Sequence, residues 1–440
     1  MCSSDLPLTR SRLIVNGTGA SSRFGQGGDA TVAISNGALA QFAGDLVVSN
    51  GSASVSAVTV AGLGGLVPTE AELSVAGDLL LGRNTSDGPA AGTATLNVNA
   101  DGLVDVGGTL FVAGDPDGGS AVLHTATGGV VTADSLDIGV GATLDLDGGL
   151  INIDGGALTN STGATLDING APGNPVITMK NGATATLPSF SGAGLRVGTG
   201  TGANLADVNV RSGSDLVVNG NLLMGVGNDD FGGMIVNGAG SSLSNPGSMI
   251  VAGIAGDARL EADMGASMTG HELWIARDAT SAADVLIESL GTTAQFDAVY
   301  VGGSNVAGGG DGLLAVNANA VLTIPAGGPL KVWNNGKLDV AQSAMVNLAG
   351  GADLVVLGET DLEGGAVVNA DVAEFRAGSV LRGPNDIPGA STLNAKALLR
   401  PGATLDLVAG GVTNGGSASV ARVPAPHRGG LNIGAPPPTP

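Results

Sequence analysis

The sequence predicts an all-β chain wound as a single-stranded parallel β-solenoid, a right-handed β-helix with turns of about 20–28 residues. Three observations carry that prediction. A unit is spelled three times between Met234 and Val316 and begun a fourth time, with β-type runs around Ile235, Leu260, Leu286 and Leu314 at steps of roughly 25–28 residues. A second run follows inside each unit, MIVAG at 249–253, LWIAR at 273–277 and VYVGG at 299–303. Composition agrees: 77 glycines and 2% aromatic residues suit a chain of tight turns around thin aliphatic layers.

The pattern extends in both directions. Residues 30–50 read as three short strands separated by Asn-Gly, Gly-Ala and Gly-Asp turns. From Leu73 the runs become cleaner, and the step from Leu96 to Leu123 is close to the period found downstream. Turns then shorten, with GATLD at 141–145, again at 163–167, and once more at 402–406. Alternation over residues 144–154 assigns Leu144, Leu146, Ile151 and Ile153 to one face. Asp145, Asp147, Asn152 and Asp154 fall on the other, as a wall buried on one side requires. Pro172, Pro175 and Pro188 mark corners or a local excursion in the less regular stretch 171–215. A single turn of about 25 residues cannot bury enough aliphatic surface to offset the entropy of ordering it, so the turns must stack.

The domain organisation expected is therefore simple. Residues 1–6, Met-Cys-Ser-Ser-Asp-Leu, match the translation of a sequencing adapter read from a GTG start and are set aside as an artefact. Residues 7–414 form the solenoid, and the Ser/Pro/Gly-rich stretch 415–440 is a disordered tail or linker. Without Cys2 the chain has no cysteine, so no disulfide framework is expected.

Charge narrows the partners. With 17 Lys+Arg against 39 Asp+Glu the net charge is −22, which excludes the phosphate-neutralising chemistry of nucleic-acid binding and disfavours anionic membrane surfaces. No run of strongly apolar residues is long enough to span a bilayer, so no membrane-spanning helix is expected. Divalent cations, basic partners and simple solubility are the readings that remain.

Motifs that could carry chemistry are few. Asp229 and Asp230 are paired carboxylates, but their Gly-flanked setting reads as a turn between units. His271-Glu272 opens like a zinc motif, yet Ile275 stands where the second ligand belongs. His124 and His427 have no acidic or cysteine partner at ligand spacing. Gly308–Leu313 resembles a calcium-binding nonapeptide only in composition. The outward aspartates Asp145, Asp147, Asp154 and Asp167 could hold divalent cations weakly. Trp274 and Tyr300 occupy matching places in successive units, where a strand-face filler is the simpler reading than a sugar-stacking platform. The Thr-x-Thr pairs at 93/95, 125/127 and 184/186 are too scattered for a threonine ladder. No catalytic, cofactor-binding or metal-binding residue is assigned, and no cofactor is expected.

The order NGAGSSL, MIVAG and Gly/Asp loop in residues 234–303 resembles the repeat of bacterial type V secretion (autotransporter) passengers and of PEP-CTERM-associated exported proteins. Residues 11–139 carry a looser form, and Val423-Pro424-Ala425-Pro426 is similar to the opening of a PEP-CTERM sorting tail, with Ala in place of Glu. The resemblance implies a secreted or bacterial cell-surface β-solenoid, non-catalytic, serving as a structural or adhesive scaffold toward a surface or matrix ligand such as a polysaccharide. Two alternatives stand beside it: a glycan-cleaving β-helix enzyme (a polysaccharide lyase or hydrolase) and a calcium-dependent binding module.

Overall fold

A computed structural model describes residues 11–16, 21–51, 54–62, 70–83, 92–113, 119–168, 174–199, 205–325, 327–383, 390–406, 412–414, 418–420 and 432–433. Residues 1–6 and most of 415–440 lie outside these, as does His427. Among the described residues every ladder between named strands is parallel, as the period predicts. Antiparallel contacts are confined to isolated bridges such as Ala126 with Gly148. No helix is long and apolar enough to cross a membrane.

The chain divides into two compact units, Met1–Ala164 with Ala171–Ala185, and Thr165–Gly170 with Thr186–Pro440. The first contains a five-stranded parallel sheet of Ala30–Ser35, Val55–Ala61, Thr93–Val98, Ser120–Ala126 and Ala142–Asp147. Strand alternation turns one column inward, Val32, Val58, Leu96, Leu123 and Leu144, with the middle three fully buried. Its neighbour on the outer face runs Ala33, Thr59, Asn97, His124 and Asp145. The longest step in this column joins Thr59 to Asn97, whose side chains meet across a separation of 38 residues. That turn exceeds the expected span, yet the register is unbroken from Val55 with Thr93 to Val60 with Val98.

Aspartates hold the corners of this unit. The carboxylate of Asp45 accepts the Asp78 N–H at 3.0 Å, and Asp78 in turn accepts the Thr109 N–H at 2.8 Å. The repeated Ala-Gly-Asp-Leu at 43–46 and 76–79 is thus a device that satisfies the amide of the next turn where the ladder bends. A side chain at Gly108 would press its Cβ into the Asp78 carboxylate, so only glycine admits that contact.

In the second unit the repeat seen in the sequence becomes two columns of strands. One contains Phe231–Asn237, Asp257–Asp263, Ala282–Ile287, Asp311–Val316 and Gly336–Val340. Its inward line is Met234, Leu260, Val285, Leu314 and Leu338, at steps of roughly 24–29 residues. Two of the four positions chosen from sequence are one residue off: Ile235 pairs with Glu261 and Leu286 with Ala315 on the outer face. The strands read Met-Ile-Val and Val-Leu-Ile, apolar on both sides, so alternation alone does not say which residue turns in.

The second column contains Ser242–Ala252, Ser267–Ile275 and Thr293–Val301. Each of these long strands bends midway, where Asn245, Gly270 and Phe296 stand in register. Asn245 is fully buried and donates through Nδ2 to the carbonyls of Val218 and Gly220 at 2.8 and 2.6 Å. Gly270 leaves room for the fully buried Phe296 ring, which a Cβ there would approach at 2.9 Å. Within the stretch expected as a tail, Ala418–Val420 pairs in parallel with Ala397–Leu399, and Asn432–Ile433 with Thr413–Asn414.

Candidate functional site

The histidines that lack partners along the sequence find them across turns. His124 and Asp145 are in register on adjacent strands, and His124 Nδ1 lies 2.9 Å from Asp145 Oδ2. Asp147, two positions further along the same strand, brings a third ligand atom, and the three atoms lie within 4.8 Å of one another. His271 repeats the arrangement with Asp297, at 2.7 Å. His124 has no acidic partner at ligand spacing along the sequence, but it has one across the turn. The partner comes 21 residues later, one turn of the solenoid, a separation no local ligand spacing covers.

The four outward aspartates do not form one ladder. Asp145 and Asp147 share a strand of the five-stranded sheet, whereas Asp154 and Asp167 belong to other strands, Leu150–Asp154 and Leu166–Ile168. Asp154 meets Lys180 at 3.0 Å and Asn181 at 2.6 Å, and hydrogen bonds from Asn181 and Lys180 hold its carboxyl below the ordinary range. Asp167 faces Arg196 at 3.7 Å; burial pushes its carboxyl up, with Arg196 opposing. Asp229 adopts φ 63° in a turn, and the buried Asp230 accepts the Asp257 N–H on its backbone carbonyl at 2.8 Å, in keeping with a turn.

A denser group of charges lies on Gly336–Val340, Glu359–Leu362 and Val380–Arg382. Lys337 contacts Asp361 at 2.7 Å and Glu359 at 3.5 Å, and Arg382 contacts Glu359 at 2.6 Å. Asp339 stands in register with Asp361. Burial raises its carboxyl, Lys337 pulls the other way, and the charges of Asp361, Glu363 and Glu359 add to the rise. Lys337 itself is held above the ordinary lysine range: burial opposes its charge, and the Asp361 hydrogen bond with the surrounding carboxylates outweighs that. Chemically this is a pair of facing carboxylates with two cations beside them, and both cations are already engaged in ion pairs. Motif spacing hides the group because its members stand one turn apart, as with Arg382 and Glu359, separated by 23 residues. Only the turn length brings them together.

The aromatic residues are also gathered. Trp274 and Tyr300 are in register and meet edge to face, with ring centroids 6.4 Å apart. Trp274 Nε1 donates to Glu272 at 2.9 Å, and Tyr300 is 7% exposed. Lys331 follows in the same column and sets its ammonium 3.4 Å from the centre of the Trp333 ring. Trp333 Nε1 donates to the Ser304 carbonyl at 2.8 Å, pinning the loop between Gly303 and Gly308. The two tryptophans and the tyrosine are thus each held by contacts along the strand face.

No family model matches this sequence, and no curated protein matches it. Among solved structures it is similar to the TibC-catalysed, hyper-glycosylated fragment of TibA spanning residues 55–350 of that protein. The identity is 14%, the TM-score 0.25, and the match covers 92% of this chain and 98% of the other.

Proposed function

We propose that the protein is an exported, non-catalytic β-solenoid that serves as a structural or adhesive scaffold at the bacterial cell surface or in extracellular matrix. The observation that carries this reading is the way the outer faces are occupied. Their charged groups mostly bridge one turn to the next, as with Lys180 to Asp154 at 3.0 Å, Arg382 to Glu359 at 2.6 Å and Arg400 to Glu374 at 2.7 Å. Such groups are committed to holding turns together, and what a partner meets is an acidic, repetitive surface. The resemblance of the 234–303 repeat to autotransporter and PEP-CTERM-associated proteins supports export to the same places.

The glycan-cleaving alternative rests on one specific feature, the facing carboxylates Asp339 and Asp361 beside Lys337 and Arg382. One experiment separates the two. The purified chain is offered immobilised neutral and uronate-containing polysaccharides, with retention and released sugar ends measured in parallel. The scaffold reading expects retention without product. Product formation abolished by Asp339→Asn replaces it with the enzyme reading, and neither retention nor product on any surface or matrix polymer removes the adhesive half of the proposal.

A further inference from the structure

We propose that His124, Asp145 and Asp147 form a binding site for a divalent transition-metal ion of the zinc class, clipping two consecutive turns of the first unit together. The geometry is the first support. Metal–nitrogen and metal–oxygen bonds of about 2.1 Å place neighbouring ligand atoms roughly 3.0–3.4 Å apart. The His124 Nδ1 to Asp145 Oδ2 separation of 2.9 Å is already close to such an edge. Asp147 supplies the third position, with an oxygen within 4.8 Å of the other two ligand atoms.

Charge is the second, independent support. Asp154 and Asp167, in the same run of outward aspartates, each have a lysine or arginine partner. Among the described residues, Asp145 and Asp147 form no ion pair with either, and only His124 stands against their two negative charges. The group therefore offers one imidazole and two carboxylates with an unmet demand for positive charge. That donor set favours a borderline ion such as Zn²⁺ over Ca²⁺, which prefers six to eight oxygens. The site is reachable from solvent, with Asp145 half exposed and His124 about one-fifth exposed. Its ligands span Ser120–Ala126 and Ala142–Asp147, so the bound ion would stabilise the stacking of these turns.

The molecule carries its own control. His271 and Asp297 form the same cross-turn pair at 2.7 Å, but among the described residues no third carboxylate joins them within ligand distance. The test uses the full chain with Cys2→Ser, stripped of metal by a chelator and titrated with Zn²⁺, Mn²⁺ or Ca²⁺. Binding is followed by calorimetry and by the histidine ring signals in NMR, assigned with His124→Gln and His271→Gln. The expected result is Zn²⁺ binding that shifts the His124 signals and raises the melting temperature. His124→Gln and Asp147→Asn each weaken that binding at least about tenfold, while His271→Gln leaves it unchanged. Zn²⁺ that shifts His271 as much as His124, affinity unaltered by His124→Gln, or no binding at all overturns the proposal. None of these outcomes depends on the scaffold reading.

Discussion

The inner and outer faces of the same strands obey different rules. Along Ser267–Ile275 the inward residues Met268, Leu273 and Ile275 are fully buried, and their partners one turn on, Ala294, Val299 and Val301, are aliphatic too. The outward residues Thr269, His271 and Trp274 meet Gln295, Asp297 and Tyr300, a different kind of contact at each step. The inner wall therefore needs only apolar residues at the right parity, whereas the outer wall derives its chemistry from whichever residues the turn length brings opposite one another. The exceptions on the inside are instructive. Thr125 stands between Val98 and Leu146, and Thr360 between Leu338 and Leu381, both fully buried with hydroxyls that meet no hydrogen-bond partner.

The largest test of the contrast is Phe296→Ala, which opens a cavity beneath Gly270 and should cost about 3–5 kcal/mol in urea unfolding. A loss below about 1 kcal/mol would mean the bend of the second column is not packed as described. On the outer face, Trp274→Ala removes an edge-to-face pair and should cost much less, about 0.5–1.5 kcal/mol beyond the lost area. A coupling of that size in a double-mutant cycle with Tyr300→Phe and Tyr300→Leu is the measurement, with Leu showing it and Phe not.

Thr125→Val and Thr360→Val invert the usual expectation. Each swaps a buried hydroxyl without a partner for a methyl of the same shape, and each should raise stability by about 1 kcal/mol. Destabilisation in both would show that the hydroxyls are satisfied.

The smallest effect is a pH dependence. Hydrogen bonds from Arg400 and Arg376 lower the Glu374 carboxyl below its usual 4.5. Its contribution is thus present above the unfolded-state value and is lost as pH falls through the lower folded-state value. Wild type should therefore lose more melting temperature than Glu374→Gln between neutral and strongly acidic pH. Parallel curves would remove Glu374 from the account.

How much of this was legible in the sequence follows from the same contrast. The period between 234 and 316 and the alternation over 144–154 are properties of apolar residues, so the parallel solenoid and the inward set Leu146, Ile151 and Ile153 could be read directly. The face of Ile235 and Leu286 could not, because their strands are apolar on both sides. The pairs His124–Asp145 and His271–Asp297, and the group around Lys337, were invisible to motif spacing. Contact across turns requires the length of each turn, and in the five-stranded sheet alone the side chains that meet are separated by anything from 21 to 38 residues.

The claim beneath all of these is that residues one turn apart stand side by side in parallel. It is tested most directly by paired cysteines in a Cys2→Ser background, where no other thiol remains. Thr269→Cys with Gln295→Cys places two exposed residues in register on adjacent strands, at the Cα separation a disulfide needs. Rapid, near-complete intramolecular cross-linking under mild oxidation is the predicted result. Failure of that pair to close, while Thr269→Cys closes readily with Ser304→Cys instead, would contradict it.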